Sequence, residues 1–197
     1  MTTIVTRSGK GSALTHVELD ANFTNLNTAK TEEYFIIQNA TYTLTSTTAT
    51  QKLFNVTTNG AFAVLADSTY WFECQMNLSS MSATSGNLKF DVLGAGTATL
   101  TNASWSAVGL DSSTIGTAAA NGGSFTAASA SSGNIVTAGT GTGLIANITG
   151  VIRINTAGTI IPSVGLTTAA AAVVGTNTWF RIRKIGSGSV TSLGSWS

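Results

Sequence analysis

The stretch Tyr70-Trp71-Phe72-Glu73-Cys74-Gln75-Met76-Asn77-Leu78 decides the fold class. Its side chains alternate: Tyr70, Phe72, Cys74, Met76 and Leu78 point one way, and Trp71, Glu73, Gln75 and Asn77 the other. A period of two is that of a strand with one face in a core and one facing solvent or a neighbouring subunit. The lone cysteine, Cys74, falls on the apolar side, so the expectation is a small buried thiol with no intrachain disulfide partner.

Working outward, further short strand patterns cover 34–37, 42–45, 51–56, 61–65, 88–93, 103–110, 144–155, 159–166, 170–174 and 178–185. Turn chemistry such as Asn59-Gly60, Ser85-Gly86-Asn87 and Gly94-Ala95-Gly96 separates them. Many short strands without intervening helices predict an all-β, antiparallel β-sandwich, with the jelly roll as the favoured variety. Pro162 interrupts 159–166 and predicts an edge position or a bulge. Residues 109–142, rich in Ser, Thr, Ala and Gly, hold only weak strand patterns around Phe125 and Ile135 and are expected to be exposed loops. The small-residue run 169–174 is a candidate for the centre of a symmetric oligomer, with ordinary sheet packing as the alternative. Three regions result: an N-terminal arm and anchor helix (1–33), a sandwich domain (34–186) and a linker-like Gly/Ser tail (187–197) carrying Trp196.

Composition narrows the function. Charged residues are 9% of the 197, against about 25% in ordinary domains. Between Asp91 and Arg181 only Asp111 and Arg153 are charged. So neutral a stretch cannot present the basic stripe that nucleic acid requires. No window reaches the ~18 apolar residues of a membrane span, and the first residues lack a signal-peptide pattern. The expectation is a protein made in a cytoplasm, without membrane insertion.

Before the strands, Ser12 to Leu26 reads as a helix. Thr15 and Glu18 form a capping box, Leu14 and Leu19 stand at the spacing of a hydrophobic staple, and the helix is predicted to begin near His16. Leu19, Phe23 and Leu26 share one face, with Val17 at its edge. A helix of about fourteen residues is marginal alone in water, and its stripe is too short for a coiled-coil seam. That face therefore needs another surface. Residues 1–13 ahead of it are expected to be a flexible lead-in.

The segment 5–26 also resembles the N-terminal segment of many bacteriophage virion appendage proteins, such as tail fibres and head fibres, where a pattern like L-T-x-x-E-x-D-A-N-F-x-N-L recurs. Leu14, Thr15, Glu18, Asp20, Ala21, Asn22, Phe23, Asn25 and Leu26 match it. The resemblance implies a virion structural protein, made in the host cytoplasm and docked to other virion proteins through Leu14, Thr15, Glu18, Leu19, Asn22, Phe23 and Leu26. Its sandwich tip would face outward, with host-surface glycan as a candidate partner. A homo-oligomer, a trimer as first choice, follows from the helix stripe and the small-residue strand. The alternatives are a capsid decoration or cement protein without a receptor and, less favoured, a polysaccharide-degrading spike.

Enzyme chemistry is not expected, nor is a cofactor or metal. His16 stands alone, with no cysteine or carboxylate at metal-ligand spacing. No G-x-S-x-G elbow occurs, since 122–126 fails at its last position, and a Ser-His-Asp triad has no suitably placed base. The carboxylates to consider for glycoside hydrolysis are Asp67, Glu73, Asp91 and Asp111. Trp71, Trp105 and Trp179 are candidate stacking platforms for sugars, with core or interface packing as the commoner fate.

Overall fold

In a computed structural model, residues 4–30, 33–46, 49–56, 60–81, 86–110, 120–128, 131–139, 142–166 and 172–189 are described. The chain divides into two compact units, residues 1–34 and 35–197. The first holds α1 (Arg7–Lys10) and α2 (His16–Lys30). The strands are β1 (Glu33–Ile37), β2 (Tyr42–Thr43), β3 (Gln51–Lys52), β4 (Phe62–Val64), β5 (Ser68–Ser79), β6 (Gly86–Asp91), β7 (Thr99–Leu110), β8 (Ala120–Ala127), β9 (Ser132–Gly139), β10 (Leu144–Thr156), β11 (Gly158–Ile160), β12 (Ser163–Gly165), β13 (Val173–Val174) and β14 (Trp179–Ser187).

The fold is all-β and antiparallel, as the alternation predicts. One sheet runs β1-β14-β5-β10-β7-β8, with β13 joining β2 to β5; a four-stranded sheet runs β3-β12-β6-β9; β4 and β11 form a separate pair. Set aside the β7–β8 pair and the shortest strands, and the two layers read β1-β14-β5-β10 and β3-β12-β6-β9. The first strand lies beside the last, and the chain crosses from layer to layer except between β6 and β9. That is the order of a jelly roll. The β7–β8 pair is inserted between β6 and β9 and widens the first layer beyond β10.

Register explains the core. Phe72 lies opposite Gly150 and Ile182, Cys74 opposite Ile148 and Phe180, and Gly150 in turn opposite Trp105. Alternate side chains of β5, β7, β10 and β14 therefore converge on one face, and Phe72, Cys74, Trp105, Ile148, Ile152, Phe180 and Ile182 among them are buried. Phe90 of β6 closes the sandwich: its ring lies 6.0 Å from Phe72 and meets Trp105 edge-on at 5.7 Å. Full burial of a side chain such as Phe72 contributes roughly 1.5–3 kcal/mol. Burial also pushes the Cys74 thiol well above its ordinary pKa, because a thiolate there would lose its hydration.

Several expectations need correction. Residues 109–142 are not simply loops, since β8 and β9 arise there. β8 completes its ladder on β7, and β9 on β6. Phe125 stacks on Trp105 at 5.0 Å, while Ile135 enters the core. A Cβ on Gly133 would stand 2.5 Å from the Phe125 ring and 2.8 Å from Trp105, so the small residue that weakens the strand pattern is what lets the rings close over the backbone. Residues 111–119 lie outside the described residues.

The span 159–166 is two strands, with Pro162 between them. The chain there leaves β4 and joins β3 and β6, and the Pro162 carbonyl accepts from the Leu53 amide at 2.9 Å. A proline at this crossing gives up no ladder donor. Residues 186–189, expected in or next to the tail, continue the sheet: Gly186 and Ser187 pair with Thr69 and Ser68, and Gly188 accepts from Arg153 at 2.8 Å. Trp196 and residues 169–171 fall outside the described residues; in the described end of that run Ala172 and Val174 are buried and Val173 is half-buried.

Candidate functional site

Two regions carry the candidate residues. In the N-terminal unit the capping box forms as predicted: the Glu18 amide donates to Thr15 Oγ1 at 3.2 Å, and Glu18 Oε2 accepts from the Thr15 amide at 2.8 Å and its hydroxyl at 2.9 Å. The Lys10 ammonium ion-pairs with the same carboxylate oxygen. These donors hold the Glu18 carboxyl well below its ordinary value, at about 2, with the Lys10 bond the largest cause and the Thr15 backbone and hydroxyl bonds next.

The lead-in is more ordered than its sequence suggests. Thr6 caps α1 by accepting from the Gly9 amide at 3.0 Å, and Gly11 ends it in the left-handed region. Asn22 then ties the arm to α2. Its Oδ1 accepts from the Val5 amide and its Nδ2 donates to the Val5 carbonyl, both at 2.8 Å, so the side-chain amide pairs with the backbone as a strand would. Part of the L-T-x-x-E-x-D-A-N-F pattern thus has a physical reading: Thr15 and Glu18 start the helix and Asn22 clamps the arm. Leu14 is half-buried, but the stripe is not covered. Val17 is 78%, Phe23 64%, Leu26 59% and Leu19 43% exposed. This is an apolar face on a helix whose first turn is firmly capped.

The second region is the outward face of the larger sheet. Trp71 is half-buried there beneath two guanidinium groups, with Arg183 5.2 Å and Arg181 5.8 Å from the ring centroid. Cations occupy its π-face. Trp179 is held differently: its Nε1 donates to Gln75 Oε1 at 3.0 Å and its ring stacks on Phe35 at 6.1 Å. Trp105 is not on this surface. It is 3% exposed between Phe90 and Phe125, and its Nε1 has no hydrogen-bond partner among the described residues. The strand alternation puts Trp105 in phase with Ala103 and Ala107, a signal that could have assigned it to the core.

Beside Trp179 the face sinks into a hollow of about 390 Å³ bordered by Glu73, Ser106, Val108, Asn147 and Thr149. Register orders these groups in two rows. Glu73, Thr149 and Ser106 are cross-strand neighbours on β5, β10 and β7; one step along, Trp179, Gln75, Asn147 and Val108 form the next row. Glu73 is half-buried, and its carboxylate has no hydrogen-bond or ion-pair partner among the described residues. A second hollow, of about 510 Å³, lies between Asp67, Arg153 and Ser187.

The other carboxylates do not join Glu73. Asp91 belongs to the smaller sheet, where its Oδ1 accepts from the Leu93 and Gly94 amides at 3.0 and 2.8 Å and closes a turn. Asp111 lies outside the described residues. Among the described residues no three His, Cys, Asp or Glu side chains group to hold a metal ion, and no helix is long and apolar enough to cross a membrane. No protein-family model matches the chain, and neither a curated protein nor a solved structure does.

Proposed function

We propose that this chain is a structural component of a bacteriophage particle, docked to other virion proteins through its N-terminal unit and carrying a β-sandwich as its outward part. One observation carries the reading: α2 presents Val17, Leu19, Phe23 and Leu26 to solvent while its first turn is held by the Thr15–Glu18 box. Covering such side chains is worth on the order of 1–2 kcal/mol apiece, enough for a preformed helix to bind a groove. The resemblance of 14–26 to virion appendage proteins gives that groove an owner. The low charge and hydroxyl-rich strands suit an exposed particle component, and a homotrimer belongs to the same reading.

The test is a double substitution, Leu19→Ala with Phe23→Ala, in a phage producing this protein. Both side chains are exposed, so the sandwich should unfold at the same denaturant concentration as before. The purified particles should lack the protein. Particles that incorporate it at the normal level would refute docking through α2.

A further inference from the structure

We infer that the hollow beside Trp179 binds a neutral saccharide, with Glu73 as the hydroxyl acceptor and the Trp179 ring as the apolar wall. The inference stands on the sheet face alone and does not depend on how the N-terminal unit docks. Three observations converge. The Glu73 carboxylate is half-buried, yet no described residue bonds to it, although Arg181 lies directly opposite on β14. Arg181 instead places its guanidinium over Trp71. A carboxylate so placed favours a ligand that brings donors, and it opposes phosphate, sulfate or an acidic sugar.

The indole, second, is oriented in advance. Phe35 stacks on it and Gln75 holds its Nε1, so little freedom is lost when a ligand packs against the ring. Third, the polar groups have the spacing of a small polyol. Glu73, Thr149 and Ser106 recur across adjacent strands at about 4.8 Å, and the row with Trp179 and Asn147 lies about 7 Å along the strands. A pyranose fits between the two rows. Its C–H face meets Trp179, and its hydroxyls reach Glu73, Thr149, Ser106 and the Asn147 amide. A nucleotide would bring phosphate to Glu73, and a metal ion would find a single carboxylate.

The full-length protein is to be titrated with D-glucose, D-galactose, D-mannose and N-acetyl-D-glucosamine, read by saturation-transfer NMR and tryptophan fluorescence. At least one sugar should receive saturation, strongest on its C–H face. Glu73→Gln should weaken that sugar by about tenfold or more, as loss of a charge-assisted bond does. Asn147→Ala, an exposed change, should weaken it too, and Trp179→Ala should abolish binding. Arg153→Ala, an exposed change at the second hollow, should leave it unchanged. The inference is overturned if none of the four sugars receives saturation, or if binding survives Glu73→Gln and Asn147→Ala at wild-type affinity. It is also overturned if sedimentation shows self-association that Glu73→Gln disrupts, since the hollow would then be an interface between copies.

Discussion

Replacing Trp105 separates two costs that the structure places on one side chain. The ring is 3% exposed, with Phe90 edge-on at 5.7 Å and Phe125 stacked at 5.0 Å. An aromatic side chain buries roughly 150–250 Å², which at about 25 cal/mol per Å² amounts to ~4–6 kcal/mol. Measured truncations of buried Phe or Trp to alanine cost ~3–5 kcal/mol. Against this stands the indole N–H, buried without a partner among the described residues. Such a donor costs ~1–3 kcal/mol, and any substitution that removes it recovers that amount.

Trp105→Ala should therefore destabilise the sandwich by about 2 kcal/mol, the difference between the central values of the two costs. Trp105→Phe keeps a ring between Phe90 and Phe125 while shedding the N–H, and should fall within about 1 kcal/mol of the wild type. Urea unfolding followed by far-UV circular dichroism, which does not depend on the replaced fluorophore, reads both. With a slope of ~2 kcal/mol per molar urea, alanine should lower the midpoint by about 1 M and phenylalanine by less than about 0.5 M. An unchanged alanine midpoint would mean that Trp105 is not a core residue. A phenylalanine variant as weak as the alanine one would mean that the N–H has a partner.

Two further outcomes follow from local geometry. A Cβ on Gly150 would lie 2.3 Å from Trp105 Cβ and 2.6 Å from the Ser104 carbonyl oxygen, neither a flexible chain end; Gly150→Ala should thus cost about 3 kcal/mol or more in the same urea assay, and a neutral result would refute the register of β7 on β10. Glu18 sets a pH dependence: its folded-state pKa of about 2 lies below the ordinary 4.5, so the cap's contribution is complete above the ordinary value and is lost as pH falls toward and through 2. An NMR titration of the Glu18 side chain should find the midpoint near 2 at low salt and higher in strong salt, where the Lys10 contact is screened; a midpoint at 4.5 in low salt would show that the box and the ion pair do not form in solution.

Much of the architecture was legible in the amino-acid order because its causes are short-range. The period of two over 70–78 selects a strand and a buried face with no knowledge of its neighbours. Thr15 and Glu18, three residues apart, place the start of α2 at His16. Where the cause was distant, sequence reasoning missed it. The Gly-rich residues of β8 and β9 have weak intrinsic preference for a strand, and they are ordered by ladders on β7 and β6 and by the rings of Trp105 and Phe125 closing over Gly133. Asn22 gave no sign that it would pair with Val5. Its clamp depends on α1 and Gly11 turning the arm back.

The hollow is the clearest case of what tertiary structure alone decided. Glu73, Ser106, Asn147, Thr149 and Trp179 come from four strands, and no spacing along the chain relates them. They meet because antiparallel register sets Glu73 beside Thr149 and Thr149 beside Ser106, while Gln75 brings Trp179 to the next row. Alternation determined which side chains leave the core. Which of those become neighbours depends on strand order, and strand order depends on how two layers bury Phe72, Phe90 and Trp105 together, a requirement that no single segment carries.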